Sequence, residues 1–182
     1  MELPSPQQLF SARVNDFTQS IELLLNFGHN QPALILLYTA IDIFASLRRL
    51  ETEADTNGCY FKKWVEDYMI VGSRRPFTSE DLWGARCGLL HTHTASSKVF
   101  RQGKARQLHY YRAHGSISPD QQRRFDAMAT THGKQFVDVN LLYADFIDGL
   151  RRFSADIQRD PALEKRVSHH SATLFGGWSF HE

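Results

Sequence analysis

The sequence predicts an all-α protein: a bundle of four main helices carrying additional short helices. Three observations carry this expectation. Apolar residues recur at spacings of three and four through several long segments. Most of those segments open on Ser, Thr or Asp next to a proline or a capping partner, and the first stops at Gly28. Only one short stretch, Gln107–Arg112, reads as a short strand or hairpin arm.

The elements follow in order. Ser5 is the N-cap of the first helix, with Pro6 at the first helical position, where a missing N–H costs nothing. Leu9, Phe10, Val14, Phe17, Ile21, Leu24 and Leu25 form its core-facing stripe, and Gly28 ends it. Gln31-Pro32 opens a second helix running to about Leu50, apolar on most sides and therefore central. A polar loop ending in Asn57-Gly58 leads to a short helix over Tyr60–Ile70, whose Phe61, Trp64 and Tyr68 read as core. After the breakers Gly72 to Pro76, Thr78 and Asp81 make a capping-box start for a third long helix, through about His91. Residues 95–117 are the least helical part. Ser118-Pro119 starts a helix to about Thr130, and a break at His132-Gly133 precedes Gln135–Val139. Asp138 caps the last long helix, which buries Leu141, Leu142, Phe146, Ile147, Leu150 and Phe153. Asp160-Pro161 opens a terminal helix, and Gly176-Gly177 with Trp178 closes the chain.

Length and composition bound the rest. A chain of 182 residues is expected to form a single domain spanning 1–182, long enough to need neither disulfide nor metal for stability. Cys59 and Cys87 are too few for a disulfide scaffold. Mean hydropathy is −0.40, and no apolar run approaches the ~18 residues that cross a bilayer. With no signal peptide in MELPSPQQ, the expected location is the cytoplasm, without membrane attachment. No phosphate-binding loop or dinucleotide fingerprint is present, and no cofactor is expected. His169, His170 and His181 lack companions at ligand spacing, so no metal site is expected either.

The net charge is only +1, but its distribution is uneven. Between Asp81 and Asp120 there is no acidic residue, while Arg86, Lys98, Arg101, Lys104, Arg106 and Arg112 fall in that window. Tyr110 and Tyr111 lie among them. Cations interleaved with aromatics suit a phosphate backbone with bases to stack, so Lys98, Arg101, Lys104, Arg106 and Tyr110 are candidate substrate-binding residues. The plain alternative is a solvated basic loop.

The third helix holds the sharpest pattern, Leu82-Trp83-Gly84-Ala85-Arg86-Cys87-Gly88-Leu89-Leu90-His91-Thr92-His93. At about 100° per residue, Arg86 shares a face with Leu82, Leu89, Leu90 and His93. A guanidinium in an apolar stripe either meets a carboxylate, for which Asp42 is the candidate, or lines a cleft for an anion. Gly84 and Gly88 leave a neighbouring face almost without side chains, suited to close contact with the helix of a second copy. For His91, the plain alternative is a helix-terminal histidine satisfying the last carbonyls. Cys87 with His91 four residues on is geometrically possible as a nucleophile pair, but reads as packing.

Arg86-x4-His91 at the end of a helix in an all-α bundle resembles the R-x4–6-H signature of the HEPN superfamily, and Arg86-x6-His93 fits the same pattern at its long limit. The resemblance implies a four-helix bundle that dimerises so that two Arg–His motifs meet in one composite cleft. It implies a metal-independent endoribonuclease of the toxin or defence type, leaving 2′,3′-cyclic phosphate ends, with Arg86, His91 and His93 as catalytic residues and a cognate antitoxin as a possible partner. Active members usually carry Asn, Asp or His directly after the arginine, where this chain has Cys87. The alternative implied is therefore a catalytically inactive HEPN-like module that binds RNA, a nucleotide or a partner protein.

Overall fold

The computed structural model describes residues 4–72, 75–92, 98–113, 118–132 and 134–175. Among them are eight helices and one two-stranded sheet, so the fold is all-α with a small β addition. The helices are α1 (Pro6–Asn26), α2 (Asn30–Ser46), α3 (Gly58–Trp64), α4 (Ser79–Thr92), α5 (Lys98–Arg101), α6 (Pro119–His132), α7 (Val139–Arg159) and α8 (Pro161–Phe175). A π-helical turn, Val65–Met69, follows α3 directly. The strands are β1 (Gln107–Tyr111) and β2 (Lys134–Asp138).

Capping chemistry explains most of the starts. Ser5 Oγ accepts from the Gln8 N–H at 3.2 Å while Gln8 Oε1 accepts from the Ser5 N–H at 2.7 Å, and Pro6 follows as first helical residue. Ser118 and Gln121 repeat this reciprocal box ahead of α6, at 3.2 and 3.1 Å. Asp138 Oδ1 accepts from the Asn140 N–H at 2.9 Å to begin α7. Asp160 Oδ1 accepts from the N–H groups of Ala162 and Leu163 to begin α8. α1 stops where Gly28, at φ +76°, enters the left-handed region. The His29 N–H then reaches the Leu24 carbonyl and the Gly28 N–H the Leu25 carbonyl.

The chain forms two compact units, Met1–Tyr60 with Leu150–Glu182, and Phe61–Gly149. In the first, α1 packs on α2 and α8. Phe10 meets Phe44 and Phe153 edge-on at 5.9 and 6.1 Å, and Ile21, Leu37, Ile41, Phe44 and Phe153 are fully buried. α2 ends at Ser46, about a turn earlier than expected, and Leu47–Arg49 continue as turn.

In the second unit, Trp64, Tyr68 and Phe146 form an aromatic cluster. Gly149 sits against it: a Cβ there would lie 3.1 Å from Met69 Cγ and 3.2 Å from Trp64 Cη2. The expected short helix thus contains a π-turn that the apolar spacing did not reveal. β1 and β2 pair in parallel, Gln107 opposite Lys134 through Tyr111 opposite Asp138, with α6 between them in sequence. The strand at 107–111 is therefore present, but not as a hairpin arm, because a parallel partner requires a crossover. Leu141, expected in the buried face of α7, is 48% exposed, while Leu142, Phe146, Leu150 and Phe153 are buried.

Candidate functional site

α4 begins on a reciprocal box. The Thr78 N–H donates to Asp81 Oδ2 at 2.9 Å, and the Asp81 N–H to Thr78 Oγ1 at 3.2 Å. Asp81 is 2% exposed and has a second task. Its Oδ1 accepts the Arg106 backbone N–H at 2.7 Å, and its Oδ2 accepts Arg106 Nη2 at 2.6 Å. Burial pushes the Asp81 carboxyl up, but the hydrogen bonds from the Arg106 side chain, the Arg106 N–H and the Thr78 N–H together outweigh it and hold the group below its ordinary value. The capping residue of α4 thereby fixes the chain just ahead of β1.

About two turns into α4, Arg86 is half-buried, its guanidinium carbon 5.1 Å from the centre of the Trp83 ring. Trp83 in turn lies 5.4 Å from the ring of the buried Phe61. A cation over an indole face is attracted by the ring quadrupole, which helps orient Arg86. The expected apolar stripe is only partly buried: Leu82 is fully enclosed, while Leu89 and Leu90 are half-buried. Trp83 was not singled out from the sequence as a partner of Arg86, although tryptophan three residues before arginine on a helix is the spacing that permits the contact.

His91 lies in the last turn of α4, five residues and about 7.5 Å of helix rise beyond Arg86. His93 lies outside the described residues. Gly84 and Gly88 are both buried on α4. Cys87 is half-buried. Asp42 lines a cavity of the first unit with Arg13 and Arg49.

The basic window divides by role. Lys98 and Arg101 on α5 and Lys104 in the turn after it are exposed. Arg106 is engaged by Asp81, and Arg112 Nε donates to Asn140 Oδ1 at 3.2 Å. Tyr110 is half-buried on β1. Beside it runs a ring stack: Phe125 is 4.6 Å from Phe136 and 4.8 Å from Tyr111, and His109 packs 5.6 Å from Phe136. Burial and the nearby Lys134 pull the His109 ring below its ordinary value, which leaves it neutral near pH 7.

Among the described residues, no group of three or more His, Cys, Asp or Glu side chains is placed to hold a metal ion. No described helix is long and apolar enough to cross a membrane. Compared with protein-family models, curated proteins and solved structures, the chain matches none of them.

Proposed function

We propose that the protein is a metal-independent endoribonuclease of the HEPN type, working as a homodimer, with Arg86 and His91 of two copies forming one cleft. The observation that carries this reading is α4 itself. It is a firmly capped helix holding a half-buried Arg86 on Trp83, with His91 in its last turn and the exposed cations Lys98, Arg101 and Lys104 just beyond it.

The chemistry follows from the side chains. RNA brings its own nucleophile, so the protein must supply a base, an acid and charge stabilisation. One His91 takes the proton from the 2′-OH as its oxygen attacks phosphorus. The bond to the 5′-oxygen breaks, and the second His91 protonates that leaving oxygen. The product ends in a 2′,3′-cyclic phosphate. Arg86, always charged and forked, binds the non-bridging oxygens where charge grows in the transition state. Two copies are required because one motif supplies a single histidine for two proton transfers; His93 is the alternative histidine at the longer spacing.

A second reading, a silent HEPN-like module binding RNA, a nucleotide or a protein such as an antitoxin, is favoured by Cys87 standing where a polar residue follows the arginine. One experiment separates the two. Fluorescent single-stranded RNA is incubated with the protein in excess EDTA, and binding and cleavage are followed together. Cleavage by wild type and none by Arg86→Ala supports the nuclease; binding without cleavage supports the module.

A further inference from the structure

We infer that the first unit holds a binding site for a small organic monocarboxylate with an apolar body, its carboxylate received by Arg49. This site uses no residue of α4 and stands independently of the RNA reading.

A cavity of about 470 Å³ lies between α1, α2, the loop after α2 and the end of α8. That volume is in the range of small-molecule sites, which are mostly apolar with a few placed polar groups. Phe17, Ile43, Leu174 and Phe175 supply the apolar wall. The polar group that stands out is the guanidinium of Arg49, 7% exposed.

A buried guanidinium is costly unless an anion pairs with it. Arg49 Nη2 faces His170 Nδ1 at 3.3 Å, and His170 Nε2 faces the Arg49 carbonyl at 3.3 Å. These partners set the tautomer: Nδ1 accepts from the guanidinium, and Nε2 donates to the carbonyl. Burial and the Arg49 charge both hold the His170 ring below its ordinary value, so this partner is neutral near pH 7. Arg49 Nε is buried with no hydrogen-bond partner. Among the described residues no carboxylate forms an ion pair with Arg49. The result is a cation held in place by a neutral ring, at the wall of a mostly apolar cavity, with no ion pair of its own among the described residues.

The other charges on the wall narrow the ligand. Arg13 lies with its guanidinium carbon 5.3 Å from the Phe175 ring centre and adds a second positive charge, partly met by Asp16 Oδ2 at 3.5 Å. Asp42 adds a negative one, which disfavours a dianion such as a phosphate monoester. A single carboxylate on an aromatic or branched aliphatic body satisfies both the charge and the wall.

The test uses the full chain and three probes of matched shape: biphenyl-4-carboxylate, biphenyl-4-methanol and biphenyl-4-yl phosphate, followed by calorimetry and thermal shift. The carboxylate is expected to bind saturably and raise Tm. The alcohol should bind at least about tenfold more weakly, the usual difference for a hydrogen bond to a charged group. The phosphate should also bind more weakly than the carboxylate. Arg49→Gln should erase the preference for carboxylate over alcohol. Should that variant not fold, Thr56→Trp, an exposed residue at the cavity, should abolish carboxylate binding while leaving Tm in the absence of probe unchanged. No saturable carboxylate binding at millimolar concentration would overturn the assignment. So would equal affinity for carboxylate and alcohol, tighter binding of the phosphate, or unaltered binding by Thr56→Trp.

Discussion

Asp81 binds Arg106 through both carboxylate oxygens, one taking the backbone N–H and the other the guanidinium, while the same carboxylate closes the N-terminal box of α4. A residue 25 positions away is thereby tied to the first turn of the helix that carries Arg86 and His91. Asp81→Asn keeps the size but loses the charge. It is expected to lower stability by about 1–2 kcal/mol, the lower part of the range for a charge-assisted hydrogen bond, because Arg106 is 45% exposed and partly screened by water. Urea unfolding monitored by circular dichroism measures this.

The same pair predicts a pH dependence. The folded Asp81 carboxyl lies below its ordinary value of 3.8. Its contribution to stability is therefore fully present above that ordinary value and is lost as pH falls through the lower, folded one. Wild type should lose stability more steeply than Asp81→Asn as pH falls below about 4, and the two curves should converge at the acid end. Parallel curves across that interval would contradict the role given to Asp81.

Gly149 makes a packing prediction. Alanine is the better helix former by about 1 kcal/mol, yet its Cβ would lie 3.1 Å from Met69 Cγ and 3.2 Å from the rigid, fully buried Trp64 ring. Met69 can shift; the indole cannot without disturbing Phe146. Gly149→Ala is therefore expected to be destabilising by about 1 kcal/mol despite its propensity, and Gly149→Leu by about 3 kcal/mol or more, measured as the shift in urea midpoint.

Much of the fold was legible because its signals are local. The boxes at Ser5, Thr78 and Ser118, the caps Asp138 and Asp160, and the prolines beside them put most helix starts within a residue or two of where they lie. Three features needed information at a distance. The π-turn at Val65–Met69 faces Gly149, eighty residues on, and nothing within the turn announces it. β1 was readable as a short strand in the least helical part of the chain, but its parallel partner Lys134–Asp138 is half polar and follows a helix. Leu141 had the right spacing for the buried face of α7 but lies in its first turn, where it remains exposed. At the candidate site, the placing of Arg86 and His91 on one helix was legible from spacing. The use of Arg106 by Asp81 was not, because a cation in a basic run looks the same in sequence whether it meets solvent or a buried carboxylate.

For Arg86, stability and binding should separate. The residue is half-buried and rests on Trp83, and the cation–π contact that Arg86→Ala removes is worth only about 0.5–1 kcal/mol; if the arginine's main role is to bind an anion, the melting temperature should stay within a few degrees of wild type. The same variant should lose RNA binding measured by fluorescence anisotropy. Arg86→Lys retains the charge but not the fork, and should recover binding in part. A variant that melts far lower yet binds RNA as wild type does would show Arg86 to be a structural cation only.

The strongest test is chemical. Histidine and arginine need no metal, so cleavage of single-stranded RNA should persist in excess EDTA, and the products should end in 2′,3′-cyclic phosphate. A 2′-deoxy residue at the cut site removes the nucleophile and should block the reaction at that position only. His91→Ala should lower the rate by a factor on the order of 10² to 10⁴, the usual contribution of a positioned acid or base. His93→Ala should lower it less; if the longer spacing is the working one, the order reverses. Cleavage should rise with the square of protein concentration below the dimer dissociation constant, since each cleft draws on two copies. Lys104→Ala, at an exposed position beyond α4, should weaken binding and reduce its salt dependence by about one phosphate contact while leaving the product unchanged. Metal-dependent cleavage, or full activity in both the His91→Ala and His93→Ala proteins, would remove the nuclease reading. RNA retained by wild type and released by Arg86→Ala, with no cleavage in either, would establish the binding module in its place.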